Sequence, residues 1–394
     1  MKNRLYIIIG IIIVSSFNIK AITIESILDS ININNTLLMS KNAEMNAKIA
    51  DIKTSNNLGD TEIGFEYQNG ANINGQKYGI SVSQGFDWPG MYMARSKANN
   101  AKIKAAEYEF QIDKLDILFT AKQLCLNVIN ANRKIKAQTQ IYNGIKQLSA
   151  EYEKGFKHGE ISILDINKLK IELLNVKQAL DKSIVERNNL IDKLTALNGN
   201  KSIANIESID VYPNQELHAF ETYTNEFSSL DPKLNYEAQI LNSSNKEVTM
   251  AKLGWLPKFS VGYKYANELG DKFNGFEIGM ALPLFSNINK VKTAKSTQLS
   301  AEYNEQDILA EKTAEIKSNY AQAVYLRSQI HSYNTVLSDT ANHEMLRKAL
   351  DGGQITLLNY LLEIRYFLEA EQTLLDLEFE YNSVLTTLNK YNLL

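Results

Sequence analysis

The chain has 394 residues, 42 Lys and Arg against 45 Asp and Glu, and a formal net charge of -3, so no basic stripe argues for nucleic acid. A single cysteine excludes an internal disulfide framework, and only five prolines leave room for very long helices.

Met1 to Ala21 places Lys2 and Arg4 before an apolar run from Leu5 to Val14 and a polar tail. This reads as a secretory signal peptide cleaved near Ala21, although Ile19 stands where a small residue is usual. Loss of Lys2, Arg4 and Lys20 with it leaves a mature chain of about -6. Beyond the signal no run of about eighteen apolar residues occurs, so any contact with a membrane falls to strands. Cys125 lies in an apolar-periodic stretch and reads as a packed small hydrophobe.

The first strand signal is Ile63, Phe65 and Tyr67 alternating with Glu62, Gly64 and Glu66, followed by Tyr78, Ile80 and Val82 alternating with Gly79, Ser81 and Ser83. Proline then disappears from Gly90 to Tyr212. Within that stretch Ala94, Ala98, Ala101, Ala105, Tyr108, Ile112, Leu115, Phe119, Leu126 and Ile129 recur at steps of three and four, a coiled-coil seam interrupted at Lys122. The seam returns in Leu169, Leu173, Val176, Leu180, Ile184, Ile191 and Leu194. A helix of about sixty residues from Gly90 reaches about 90 Å. Asn200 to Leu230 is the obvious place for a non-helical belt.

The same order then recurs. Phe259, Val261, Tyr263 and Tyr265 alternate with Ser260, Gly262 and Lys264, and Phe276, Ile278, Met280 and Leu282 alternate with Glu277, Gly279 and Ala281. Each strand pair flanks a polar turn of about ten residues, Gln68 to Lys77 and Ala266 to Gly275. Leu284 to Leu394 is again free of proline and ends in a seam of Leu374, Leu377, Tyr381, Leu385 and Leu388. Gly159-Glu160-Ile161-Ser162-Ile163-Leu164-Asp165 returns as Gly353-Gln354-Ile355-Thr356-Leu357-Leu358-Asn359, shifted by about 194, and the first strand returns at about 198. The chain therefore divides into a signal (1-21) and two helix/strand-hairpin/helix repeats (22-205 and 206-394).

The fold class is mostly α with a small β part: duplicated long helical hairpins and four strands. Alternation alone suits two half-buried hairpins of a soluble sheet. An exported chain with no other core to cover the apolar faces favours a membrane barrel instead, with Ile63, Phe65, Tyr67, Ile80, Val82, Val261, Tyr263, Ile278 and Met280 facing lipid. Closure of a barrel takes at least about eight strands, so several copies must share one.

The duplicated order resembles the TolC-like outer-membrane efflux proteins from about Ile22 to Leu394. The resemblance rests on the strand hairpins, the glycine-led tips and two strand-to-helix junctions, Gln84-Gly85-Phe86-Asp87-Trp88-Pro89-Gly90 and Ala281-Leu282-Pro283-Leu284-Phe285. The first junction looks like that of the heavy-metal-cation branch. The family implies a homotrimer sharing one barrel in the outer membrane, with a helical tunnel extending into the periplasm. At the tunnel's inner end it would meet a periplasmic adaptor (membrane fusion protein) and an inner-membrane pump.

In such channels the hairpin tips converge, and acidic residues after the glycine ring the pore. Asp165 matches that position, and Asn359 stands at the matching place in the second repeat, with Glu363 nearby and Leu362 beside it. Three copies of Asp165 would repel one another, raise the carboxyl pKa and favour bound cations. The competing role for Asp165 is to cap its helix start. Gly159 and Gly353 suit the tight tip turns.

No phosphate loop, nucleophile elbow or metal-ligand spacing occurs, and His158, His218, His331 and His343 are scattered, so neither an enzyme nor a cofactor is expected. The sequence suits the passive exit duct of a tripartite efflux system. A periplasmic adaptor or structural coiled-coil protein is the alternative, but an adaptor normally has one helical hairpin between β-rich domains, whereas this chain has two equivalent hairpins. A type I secretion channel would differ only in its partners.

Overall fold

Proline marks where helices begin, and an extended asparagine or aspartate marks where they bend. The computed structural model describes residues 23–70, 75–340 and 343–394, and the signal expected over Met1 to Ala21 lies outside them. Helix α1 (Ile24–Asn34) meets α2 (Thr36–Thr54) at Asn35, whose extended backbone breaks the helix while its Oδ1 accepts the Leu38 N–H at 2.8 Å. Helix α5 (Phe220–Leu230) meets α6 (Pro232–Leu253) in the same way at Asp231, 196 positions later. Asp231 Oδ1 accepts the N–H groups of Lys233 and Leu234, and its Oδ2 accepts the Tyr391 hydroxyl at 2.5 Å.

Helix α5 corrects the expected belt. Only the part before Phe220 lacks helix, apart from a single 3-10 turn at Ile206–Ser208. Tyr223 and Phe227, one helical turn apart, bury one face of α5, and Pro232 forces Asp231 out of the helical region. The belt itself begins with Gly199 at φ +65°, where an added Cβ would lie 2.4 Å from the Asn34 carbonyl oxygen.

Strands β1 (Thr61–Asn69) and β2 (Gln76–Phe86) lead into α3 (Pro89–Lys157), which is 69 residues long and therefore spans about 100 Å. It returns through α4 (Ile163–Leu197). The second half runs through β3 (Lys258–Glu268), β4 (Asp271–Ala281), α7 (Lys290–Thr340), α8 (His343–Asp351) and α9 (Leu357–Leu388). Of the expected α3 seam, Ala94, Ala98, Ala101, Ala105, Leu115, Leu126 and Ile129 are buried, and Tyr108, Ile112 and Phe119 are half-buried. Helix α3 packs along α6 and, in its later half, along the returning α4. Cys125 is fully buried beside Leu126, Val128 and Ile129, packed with Ile27 and Ile31 of α1, and burial pushes its thiol up to about 12.

The strands form one open antiparallel sheet in the order β1-β2-β3-β4, so the β2·β3 pairing joins the two halves. The second hairpin turn, expected to span Ala266 to Gly275, is only Leu269-Gly270 between the paired Glu268 and Asp271. Both turn residues have positive φ, as a tight primed turn requires, and the Gly270 N–H donates to Asn267 Oδ1 at 3.2 Å.

Candidate functional site

Two regions carry the function-bearing residues: the strand wall and the helical tips. On the wall, the pairings Ile63↔Val82, Val82↔Tyr263 and Tyr263↔Phe276 set four apolar side chains in one row across the sheet. Phe65, Ile80 and Tyr265 form the row on one side of it, and Val261 and Ile278 pair on the other. These side chains remain open: Ile63 is 77% exposed, Phe276 86% and Ile278 80%, with Phe65, Tyr67, Ile80, Val82, Val261, Tyr263 and Met280 exposed beside them. A single apolar face of this extent on a described chain has no protein covering it. Polar residues on that face sit at its two ends, Thr61 and Gln84 at one and Asn267, Lys272 and Asn274 at the other, and Gln84 is satisfied locally, accepting the Thr61 hydroxyl at 2.7 Å and donating to the Gly59 carbonyl at 2.8 Å.

The opposite face carries Gly64, Gly79, Gly262, Ser81, Ser83 and charged side chains. Lys264 reaches Glu66 at 3.1 Å, diagonally past Gly79 and Ser81 of the intervening strand, and Lys77 lies 3.5 Å from Glu268. Such water-exposed pairs contribute at most about 1 kcal/mol each. At the end of β2, Asp87 holds Arg95 at 2.7 Å and Lys258 at 3.2 Å, and its N–H donates to the Tyr92 hydroxyl. Trp88 sits against Phe259, ring centroids 6.0 Å apart, and Pro89 opens α3 as its first residue. The strand-to-helix joint is thereby clamped by charge on one side and ring packing on the other.

The tips repeat one design. Gly159 (φ +78°) and Gly353 (φ +70°) end α3 and α8 in the left-handed region, and the next N–H bonds back to Gly155 and Ala349 respectively. Three residues on, Ser162 and Thr356 cap α4 and α9, their hydroxyl oxygens accepting the N–H of Asp165 and of Asn359, each at 3.2 Å. Asp165 and Asn359 therefore occupy the same third position of equivalent helices. The Asp165 carboxylate accepts the Ser162 hydroxyl at 2.9 Å and Lys168 Nζ at 3.1 Å, and these bonds hold its pKa below the usual carboxylate value. Asn359 and Glu363 are exposed on α9.

Leu148, Leu169, Leu350, Leu357, Tyr360 and Ile364 form one buried cluster, so the two tips stand side by side. Arg347 binds Glu151 of the other hairpin and Asp351 of its own, and Arg365 reaches Glu172 at 3.3 Å. Sequence reasoning missed these cross-hairpin pairs. It also missed the cap residues, although Ser162-x-x-Asp165 and Thr356-x-x-Asn359 carry a helix-start pattern. Among the described residues no group of three or more His, Cys, Asp or Glu is arranged to hold a metal ion.

No protein-family model matches the sequence, and no curated protein matches it. Solved structures do. The chain superposes on CusC with a TM-score of 0.75 at 16% identity, covering 93% of this chain and 91% of that one. The CmeC outer-membrane channel of Campylobacter jejuni gives 0.72 at 18% identity, covering 94% and 85%. The outer-membrane protein VceC of Vibrio cholerae gives 0.76 at 12% identity, covering 93% and 95%. Along nearly its whole described length, the chain has the fold of these three proteins, a mostly helical body carrying a four-stranded sheet.

Proposed function

We propose that the chain is one subunit of a homotrimeric outer-membrane exit channel, the passive duct of a tripartite efflux pump. The observation that carries this reading is the open four-stranded sheet: one face is a continuous band of exposed apolar side chains, the other is small and charged, and both edges are free. No helix among the described residues is long and apolar enough to cross a membrane, so the sheet is the surface suited to lipid. The repeats 22–205 and 206–394 each supply a hairpin to the wall and a helical hairpin to a periplasmic tunnel. A periplasmic adaptor meets the tips, and an inner-membrane pump supplies the energy. Metal cations are the cargo we favour, because the Trp88-Pro89-Gly90 junction resembles that of the heavy-metal branch.

Light scattering on the detergent-extracted protein, with electron micrographs of the same peak, tests the reading. A particle of three chains with a long hollow stem is the expected result. A monomer or elongated dimer that needs no detergent overturns it and returns the adaptor or structural coiled coil to first place.

Asp165, with Asn359 and Glu363 on the neighbouring hairpin, belongs at the periplasmic entrance in this reading. Asp165→Asn is expected to weaken divalent-cation block in single-channel recordings while the trimer stays intact. Loss of trimer at neutral pH would assign the residue to capping alone. Because the folded pKa of Asp165 is depressed, its contribution to stability is present above the ordinary carboxylate range, near about pH 4, and fades as pH falls through the folded value. The variant should lack that acid-dependent loss.

A further inference from the structure

Between α9 and the late parts of α3 and α7 lies a cavity of about 530 Å³. Helix α9 lines it with Tyr360, Ile364, Phe367, Glu371 and Leu374, spaced four, three, four and three, so all five share one face of the helix. Leu374 opens the seam that ends in the buried Leu385 and Leu388. Glu371, three residues before it, therefore stands where the same seam would place an apolar residue.

Nothing in the chain answers that charge. Glu371 is half-buried, is the only charged residue lining the cavity among the described residues, and makes no hydrogen bond or ion pair with any of them. The adjoining cleft, which Glu371 also lines, holds two cations, but Arg133 is 2.5 Å from Glu378 and Lys136 is 3.2 Å from Asp210. One carboxylate is left over. Drawing it partly out of water without a partner is costly, and the fold does not demand it. At the shift of 194 that carries Gly159 to Gly353, the first repeat has Lys177 at the matching place, exposed and 3.0 Å from Asp181.

The opposite wall is kept open in a similar way. Gly144 lies inside α3, where glycine weakens a helix, and a Cβ added there would meet nothing within 4 Å. Its counterpart on α7, Ser338, is also small and lines the same cavity.

From this we infer that the cavity binds a lipophilic organic cation, an apolar body with one positive charge, which Glu371 holds among the rings of Tyr360 and Phe367. The volume falls in the range of pockets for drug-sized molecules, about 300–1,000 Å³. Aromatic faces attract cations, and the surplus carboxylate selects for that sign. An anion would meet Glu371 unfavourably, and a metal ion would find one carboxylate with no second ligand cluster among the described residues. The site is contained within one chain, so its failure would leave the shared barrel untouched.

Equilibrium dialysis of tetraphenylphosphonium against the full-length, detergent-extracted protein, with matched detergent on both sides, tests the site. The unmutated protein should show saturable uptake, and Glu371→Gln should weaken it about tenfold. Triphenylphosphine oxide, neutral and of similar shape, should bind both proteins alike and more weakly than the phosphonium binds the unmutated one. Gly144→Leu fills the cavity and should abolish uptake while the thermal melt holds or rises, because leucine favours a helix over glycine. Should that variant fail to assemble, the Glu371→Gln comparison decides alone. Undiminished uptake by Glu371→Gln, or no saturable uptake by the unmutated protein, overturns the inference. Equal binding of the neutral and charged probes by the unmutated protein assigns the cavity to apolar molecules of either kind and overturns its preference for cations.

Discussion

Val82→Arg is expected to abolish most of the trimer recoverable from outer membranes, while Ser81→Arg leaves it close to the unmutated level. The two residues are neighbours in β2 and point to opposite faces. Val82 is 43% exposed in the middle apolar row, between Ile63 and Tyr263, whereas Ser81 pairs with Gly64 and Lys264 on the small and charged face. Arginine at the lipid midplane of a barrel costs roughly 2–4 kcal/mol, and a ring of three copies incurs it three times. Arginine on a water-filled face incurs almost none. Gly279 is a poorer control than Ser81, because a Cβ there would lie 2.4 Å from the Ser260 hydroxyl oxygen. Native electrophoresis of membrane extracts reads the outcome, and equal losses from both substitutions would count against lipid on the apolar face.

Gly199→Ala should be the most damaging glycine-to-alanine change among the described residues, at about 2–4 kcal/mol. Its φ of +65° disfavours any side chain, and the new Cβ would meet the Asn34 backbone oxygen at 2.4 Å. Relief by shifting α1 would pull on Asn198, whose Oδ1 accepts hydrogen bonds from Ser30 at 2.8 Å and Asn34 at 3.2 Å. Gly159→Ala is the informative comparison. It has the same left-handed backbone at φ +78°, but nothing lies within 4 Å of its added Cβ, so only the backbone cost of about 1–2 kcal/mol applies. Thermal melts of both variants in detergent should separate them clearly. Coincident melts would show that the contact between belt and α1 yields easily.

The features legible in the sequence were those written in local periodicity. Ile63-Phe65-Tyr67 and Phe276-Ile278-Met280 announce strands because alternation needs only the residue two places away. The alanine steps of α3 announce a helix because its neighbours lie three and four places away. The second hairpin turn was misjudged because Asn267, Asn274 and Gly275 read as loop composition, whereas the first stabilises the turn through its side chain and the other two lie within the strand. Helix α5 was overlooked because eleven residues give a short period, and its anchors Tyr223 and Phe227 find their partners, Leu326 and Leu385, far along the chain. Arg347 and Glu151 were out of reach for the same reason: nothing within either helix marks its residue as the one that faces the other hairpin. Asn35 and Asp231 could have been found, since each precedes a helix at a spacing close to that of the other repeats.

Helix α3 runs unbroken from Pro89 to Lys157, so any tilt about its sheet end, taken as a fulcrum, is multiplied by its length. The fulcrum is the Asp87 clamp, where Arg95 and Lys258 converge beside Trp88. A rotation of about 5° there sweeps the far end of a rod about 100 Å long through about 9 Å, wider than a water molecule by several-fold. A tilt too small to disturb the pairing of β2 with β3 would thus be magnified into a displacement at Gly159 larger than the spacing between neighbouring strands, and a force applied at Gly159 would arrive at the sheet as torque.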